Sequence, residues 1–515
     1  MNGAESLIRT LADCGVDTCF ANPGTSEMHL VQAIDGVEGT RAVLCLFEGV
    51  CTGAADGYGR MRGTPAYTLL HLGPGLGNGI ANLHNARRAA SPLINIVGDH
   101  AIHHVAYDAP LTSDVVGVAE TMSSWVRRSR TSQGVARDGA DAVSATLQRN
   151  PGGVGQVATL IVPADCAWGP SNGPTQPNPS PVRAQVSQEA VDTAVKNLDG
   201  DTVLLLDGDG LGEEGLIHAA RIAQVTGCRV MATTFPARVE MGPGRPPVAR
   251  MPYFPEQVLE AIGEARHLVL AGAEPPVSFF AYPEMPSSLV PETCDVVRLA
   301  HVYEDVVAGL EAVADALGAP ADAGARNEER RPEIPSGELS TRHVANIVAA
   351  LLPENAIICT DSGGGGAAFA TVGTAAPCSF LNLTGGSIGQ GGPAATGAAI
   401  ACPDRPVLAL LGDGGAMYTN QAFWTQAREG LDVTTVIFSN HQYNILEVEY
   451  RRLGVNEIGD KAAGMFDIGN PDIDWAGLGR SMGVPGAQVA TCEDFARELE
   501  RGLSQPGPYV IDAIV

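Results

Sequence analysis

A chain of 515 residues is too long for one ordinary domain, and at roughly 150 residues per domain it predicts about three. Hydrophobic residues at 45%, charged residues at 17% and a mean hydropathy of +0.06 exclude a disordered chain or a coiled coil, and 62 glycines without a three-residue period exclude collagen. Lys+Arg at 32 against Asp+Glu at 58 leave a formal charge of −26, which repels nucleic acid and anionic membranes and points to small molecules and other subunits as partners.

An anionic ligand of such a chain needs a local device, either backbone N–H groups or a bound cation. Eleven scattered cysteines without a C-x-x-C pair suit reduced thiols in a cytoplasmic protein. The first residues, MNGAESLIRTLADCGVDTCF, mix charge and apolar residues at helical spacing and do not read as a signal peptide. No apolar run reaches the roughly 18 residues of a membrane span, so no membrane partner is expected.

In chain order, short apolar runs at Arg41–Leu46, Pro92–Val97, Thr202–Leu206, His267–Leu270, Ala356–Cys359, Val407–Leu411 and Val433–Phe438 alternate with helical patterns. Runs of this kind, closed by Gly, Asp or Asn, predict parallel sheets covered on both faces. Breaker-rich stretches at Trp168–Val182 and Pro320–Pro335 read as linkers. The expected fold class is therefore α/β, with three doubly wound parallel-sheet domains over about 1–168, 185–318 and 337–515. Ligands of such sheets sit beyond the carboxyl ends of the strands.

Several residues occupy those positions. Asn22-Pro23-Gly24-Thr25 follows a strand near Cys19, Glu48 follows the run Leu44–Phe47 and precedes a small-residue helix, and His71 ends the run Tyr67–Leu70. Burial is predicted for Glu48 by the strand before it and the Ala/Gly helix after it, and burial raises the pKa of an acid. Gly98-Asp99-His100-Ala101-Ile102-His103-His104 brings three histidines to another strand end. Gly208-Asp209-Gly210-Leu211-Gly212 suggests a dinucleotide turn but lacks the complete G-x-G-x-x-G.

The last third is the most informative. Gly412-Asp413-Gly414-Gly415 follows the strand Leu408–Leu411, where glycines let backbone N–H groups face an anion and Asp413 can hold a divalent cation. The strand Val433–Phe438 ends in Ser439-Asn440-His441-Gln442. Side by side in a parallel sheet, the two strand ends would bring Asp413 and Asn440 onto one Mg²⁺ with a backbone carbonyl nearby.

The span GDGGAMYTNQAFWTQAREGLDVTTVIFSN resembles the thiamine-diphosphate enzymes, whose signature is GDG followed by a second strand ending in Asn; Ser439 stands where the first of two Asn is usual. The resemblance covers almost the whole chain and points to the acetolactate synthase and benzoylformate decarboxylase branch. It implies thiamine diphosphate and Mg²⁺ as cofactors, with Asp413, Asn440 and the Gln442 carbonyl as metal ligands. It further implies that Pro23, Gly363, Gly364, Gly386, Ile388, Gly414, Gly415 and Tyr443 line the cofactor, Ile388 propping it in a bent shape. Glu48 matches the family's catalytic Glu, which shares a proton with the aminopyrimidine N1′.

By the same resemblance His71 matches the active-site histidine of benzoylformate decarboxylase, and the Thr25 hydroxyl, in place of Ser, is expected to hold a substrate carboxylate. A second histidine of that enzyme falls on Ala281, so one proton relay is missing, and His100, His103 and His104 are candidates to replace it. An acidic residue of pyruvate decarboxylases falls on Leu446. FAD is not expected in the middle domain, which looks like a degenerate Rossmann unit.

The implied activity is non-oxidative decarboxylation of a 2-oxo acid, with transfer of the acyl unit to a second carbonyl as an added capacity. The alternatives are a true acetolactate synthase and, from another class, a catalytically reduced cofactor-binding structural subunit. In the family the two halves of each site come from different chains, so a homodimer or homotetramer is implied.

Overall fold

The computed structural model describes residues 1–148, 156–455 and 457–515. In the first third, six parallel strands lie in the order Arg41–Leu44, Thr18–Asn22, Ala66–Leu70, Pro92–Asp99, Gln156–Pro163 and Trp125–Arg128. Successive side chains leave opposite faces of the sheet, so Phe20, Leu70 and Val97 enter one core while Cys19, Leu69 and Ile96 enter another. Burial of both faces is why these strands read as continuous apolar runs. The run Leu44–Phe47 does not remain in the sheet: the strand stops at Leu44, and Phe47 turns extended to open a helix at Glu48.

The second sheet is also parallel, in the order Ala249–Arg250, Arg229–Ala232, Thr202–Leu206, His267–Ala271 and Asp295–Ala300. The third runs Gly486–Val489, Tyr509–Ile514, Val433–Ser439, Val407–Gly412, Ala356–Thr360, Cys378–Leu381 and Val239–Met241. Its last strand is antiparallel and belongs in sequence to the middle third. Three residues carry no periodicity of their own. Val239 pairs with Phe380, and the Ser379 hydroxyl donates to Glu240 at 2.7 Å.

Two shared cores join the sheets. Ile357, Cys359, Ala409 and Leu411 of the third sheet pack into the same core as Phe20 and Leu70 of the first, while Ile358, Leu408 and Leu410 share a core with Leu204 and Leu206 of the second. The helix Glu48–Arg62 lies against the helix Gly391–Ala401, and here glycine is required. A Cβ on Gly57 would collide with the Ala394 backbone, and one on Gly397 with the carbonyl of Ala54. Among the described residues no helix is long and apolar enough to cross a membrane. All eleven cysteines are unpaired.

Candidate active site

The carboxyl ends of the first and third sheets carry the residues singled out above. At the first sheet, Glu48 opens the helix Glu48–Arg62 and is 7% exposed, accepting a hydrogen bond from Asn78 Nδ2 at 3.0 Å. Gly75 is the floor between two functional groups: a Cβ there would lie 3.2 Å from Glu48 Oε1 and 3.3 Å from the Cβ of His71. The structure thus brings Glu48 and His71 together around one glycine.

His71 is held by a residue with no motif to announce it. Glu27 is fully buried, and its carboxylate accepts from the Gly24 N–H at 2.8 Å and the Ser26 hydroxyl at 2.6 Å while meeting His71 Nδ1 at 2.8 Å. This occupies Nδ1 and leaves Nε2 as the nitrogen that can face a ligand. Pro23 is half-buried at the end of strand Thr18–Asn22, whereas Thr25 is exposed. The Ser26 hydroxyl lies 3.3 Å from His71 Nδ1. A glutamate two residues past an N-P-G-T turn was the available signal, since a short turn can fold such a carboxylate back onto its own N–H groups.

At the third sheet, strands Val407–Gly412 and Val433–Ser439 pair in parallel with Gly412 opposite Phe438, so their ends are adjacent. Asp413 Oδ1 accepts from the Gly414 N–H and Oδ2 from the His441 N–H, both at 2.8 Å. Burial raises the Asp413 carboxyl above its ordinary range, and N–H groups of Gly414, His441 and Asn440 oppose that rise. Asn440 Oδ1 accepts from the Gln442 N–H at 3.3 Å, with His441 between them in the left-handed region at φ 58°. Ser439 donates to the buried Asp512, which also accepts from Gln488, so serine at this place is anchored to the neighbouring strand.

Glycine shapes the surrounding cradle. A side chain on Gly414 would collide with the Tyr443 ring, and a Cβ on Gly415 would lie 3.3 Å from Asp361 Oδ1. Gly363 opens the helix Gly363–Val372, and Gly364 is pressed against Phe438. Asp361 accepts from the N–H groups of Gly389 at 3.0 Å and Gly391 at 3.1 Å, while its buried Oδ1 has no hydrogen-bond partner. Burial pushes its carboxyl up to about 6. Two buried carboxylates beside glycine N–H groups, one with an orphaned oxygen, form a donor set of hard oxygens that fits a divalent cation and an anionic group together. Among the described residues no group of three His, Cys, Asp or Glu side chains could hold a metal, so such a cation would depend on Asn440 and carbonyl oxygen as well.

The loop Thr384–Gly389 connects the two halves. Gly386 is exposed at φ 76° and Ile388 is half-buried. His84 meets the Gly385 carbonyl at 3.0 Å and Asn85 donates to that of Ser387 at 2.8 Å. Arg60 donates to Thr384 and to the Asn382 carbonyl while forming a buried ion pair with Asp56 at 2.7 Å. Asp56 also accepts from Ser91 and Gln390, so this pair is a bolt between the first and last thirds. No spacing announced its tertiary role.

The other expected residues lie outside these contacts. Ala281 is exposed, and the middle third reaches the loop through Phe279, whose ring blocks any side chain on Gly386. His104 is exposed, its ring 5.5 Å from that of His100 and 5.8 Å from that of Tyr107, and His103 faces Asp165 at 3.8 Å. Leu446 is 42% exposed on the helix Asn444–Arg452, which Glu449 and Arg452 fasten to Tyr282 and Glu256.

Residues 1–120 match the profile described as "Thiamine pyrophosphate enzyme, N-terminal TPP binding domain", and residues 364–513 match its C-terminal counterpart. The chain is 50% identical to "Putative acetolactate synthase large subunit IlvX" of Mycobacterium tuberculosis, over 100% of this chain and 99% of that one. It is 28% identical to a benzoylformate decarboxylase of Pseudomonas aeruginosa, over 97% and 96% of the two chains. In fold it superposes on a thiamine diphosphate-dependent 4-hydroxybenzoylformate decarboxylase of Rhodococcus jostii with a TM-score of 0.86 at 23% identity, covering 100% of this chain and 99% of that one.

Proposed function

The chain belongs to the thiamine pyrophosphate enzyme family, in its acetolactate synthase and benzoylformate decarboxylase group, and we propose that it is a Mg²⁺-dependent lyase that removes CO₂ from a 2-oxo acid. The observation that carries this reading is Glu48, a buried carboxyl with one amide donor beside His71, set at a strand end that matches the family's catalytic acid. Thiamine diphosphate supplies the carbon acid and electron sink when bound. Glu48 holds a proton at its carboxyl oxygen for the aminopyrimidine nitrogen, and His71 Nε2 moves protons at the substrate. Asp413, Asn440 and the Gln442 carbonyl would hold Mg²⁺, while the Gly415 N–H would face the diphosphate, the Gly414 N–H being engaged by Asp413 Oδ1.

In this reading the three sheets are three domains at about 1–168, 185–318 and 337–515, the second lending strand Val239–Met241 to the third. Glu48 of one chain serves the Asp413 site of another. Large apolar residues left exposed beside both half-sites support that pairing: Met28 and Leu46 near Glu27 and Glu48, and Phe279, Tyr418 and Leu446 near Gly386 and Tyr443. FAD is not expected in this reading, since Glu213 and Glu214 open the helix that would face a pyrophosphate after the Gly208–Gly212 turn. Acyl transfer of the acetolactate synthase kind is the second reading, favoured by the 50% identity to a chain named as an acetolactate synthase large subunit.

The test combines two dead chains. Glu48→Gln and Asp413→Ala protomers, co-expressed and purified as heterodimers, should regain activity on a panel of 2-oxo acids, because one of the two sites then carries both native residues. Inactive heterodimers beside active wild-type controls would discard the cross-chain site.

A further inference from the structure

Arg250 differs from most arginines near the core. It ends the edge strand Ala249–Arg250 of the second sheet and reaches toward the carboxyl end of the third. Its Nη1 donates to Asn382 Oδ1 at 3.0 Å, and its guanidinium carbon lies 5.0 Å from the centre of the Phe369 ring. Its Nη2 lies beside Gly366, where a Cβ would be 3.3 Å away. No carboxylate pairs with it among the described residues, although the chain has 58 acidic residues and most arginines in its surroundings have one: Arg60 pairs with Asp56, Arg238 with Glu240, and Arg245 with Glu213 and Glu240. Desolvation alone lowers its pKa. A partly buried cation without a counter-ion opposes folding, so its place in the sequence calls for an anion that the chain does not itself provide.

The space in front of it has the size and lining for that anion. A cavity of about 450 Å³ lies between the segment 246–250 and the helix Gly363–Val372. Pro246, Val248, Phe369 and Ala370 give it apolar walls, the Thr374 hydroxyl at its edge donates to the Arg330 carbonyl, and Arg250 is the one charged residue among the described residues lining it. Asn382, which orients the guanidinium, is itself fixed by its Nδ2 on the Pro236 carbonyl at 3.1 Å. One oriented guanidinium in an apolar cleft matches the two oxygens of a carboxylate on an apolar body; a phosphate dianion would require further donors.

We propose that this cavity binds a small organic carboxylate, with Arg250 taking the carboxylate and Pro246, Val248 and Phe369 its apolar body. The proposal does not depend on the reaction assigned above. Calorimetric titration of the chain loaded with thiamine diphosphate and Mg²⁺ tests it, with benzoate as the probe and benzamide as its uncharged counterpart. Benzoate should bind at least tenfold more tightly than benzamide. Arg250→Met should weaken benzoate tenfold or more, or remove one of two benzoate sites, and Arg250→Lys should keep part of the affinity. Cofactor affinity should be native in both variants. The thermal midpoint of the ligand-free Arg250→Met chain should equal or exceed that of the wild type, whereas an arginine kept only as a bolt to Asn382 would lower it. Absent benzoate binding, or benzoate affinity unchanged in Arg250→Met, overturns the proposal. Loss of cofactor affinity overturns it too, since Arg250 would then serve the diphosphate. If Arg250→Met fails to fold, Arg250→Lys and Phe369→Ala carry the same comparison.

Discussion

Glu48 and Asp413 are both buried carboxylates at the carboxyl ends of parallel strands, yet they are held in opposite ways. Asp413 is surrounded by backbone N–H groups of Gly414, Asn440 and His441, donors fixed by strand pairing and independent of any side chain. Glu48 has one side-chain donor, Asn78, and lies among glycines that leave room beside it. A group that must stay ionised to hold a cation gains from many fixed dipoles. A group that must share a proton is better served by few, because each added donor stabilises the charged form and takes that proton away.

The strongest break of this contrast is Glu48→Gln. The amide keeps the shape and the partner Asn78 but cannot share a proton, so hydrogen–deuterium exchange at the cofactor's reactive carbon should fall by about 10²- to 10⁴-fold. Cofactor affinity should remain native in the same variant. A wild-type exchange rate, read by quench-flow and NMR, would remove Glu48 from the proton path.

Asp413→Ala should do the reverse. Loss of a direct ligand should weaken Mg²⁺-dependent cofactor binding by more than about 100-fold, against the 10- to 100-fold cost of losing outer partners of a metal site. Calorimetry with and without chelator separates the two halves: binding that survives in chelator would place the cation elsewhere.

Between the halves, Gly397→Val forces a side chain into the Ala54 carbonyl and should cost at least about 3 kcal/mol of stability, the upper end of ordinary overpacking, because backbone must move. Urea unfolding reads this directly. A stability within about 0.5 kcal/mol of wild type would show that helices Glu48–Arg62 and Gly391–Ala401 meet too loosely to require glycine there.

Asp361 sharpens the comparison through pH. Its folded pKa of about 6 lies above the ordinary 3.8, so the ligand-free fold prefers the protonated form. Ionised Asp361 therefore opposes folding above pH 6, by about 2–3 kcal/mol, and the cost fades as pH falls through 6 toward 4. Asp361→Asn should stabilise the ligand-free chain at pH 8 by up to that amount and have little effect at pH 4. Equal effects at both values would contradict the burial argument. The smallest effect is expected of His103→Ala: with a side chain 72% exposed beside Asp165, it should change steady-state kcat and KM by no more than about twofold.

Much of this molecule is legible along the chain because its signals are local. A strand buried on both faces must be apolar throughout, so Pro92–Asp99 and Val433–Ser439 announce themselves, and the glycines and Asp413 at a strand end announce a turn that can face an anion. Glu48 is visible for the same reason, framed by a strand run and a glycine-rich helix. What tertiary structure decided is whatever depends on partners far apart in the chain. The clasp of Glu27 on His71, the Asp56–Arg60 bolt to Thr384, the reach of Phe279 to Gly386 and the transfer of Val239–Met241 to another sheet join residues up to 324 positions apart. The sequence by itself determined three α/β units and the acidic residues at their strand ends on which the proposed proton-sharing and cation-holding roles rest; only packing decided which neighbours hold them, because a hydrogen bond's worth depends on the burial and geometry of both ends.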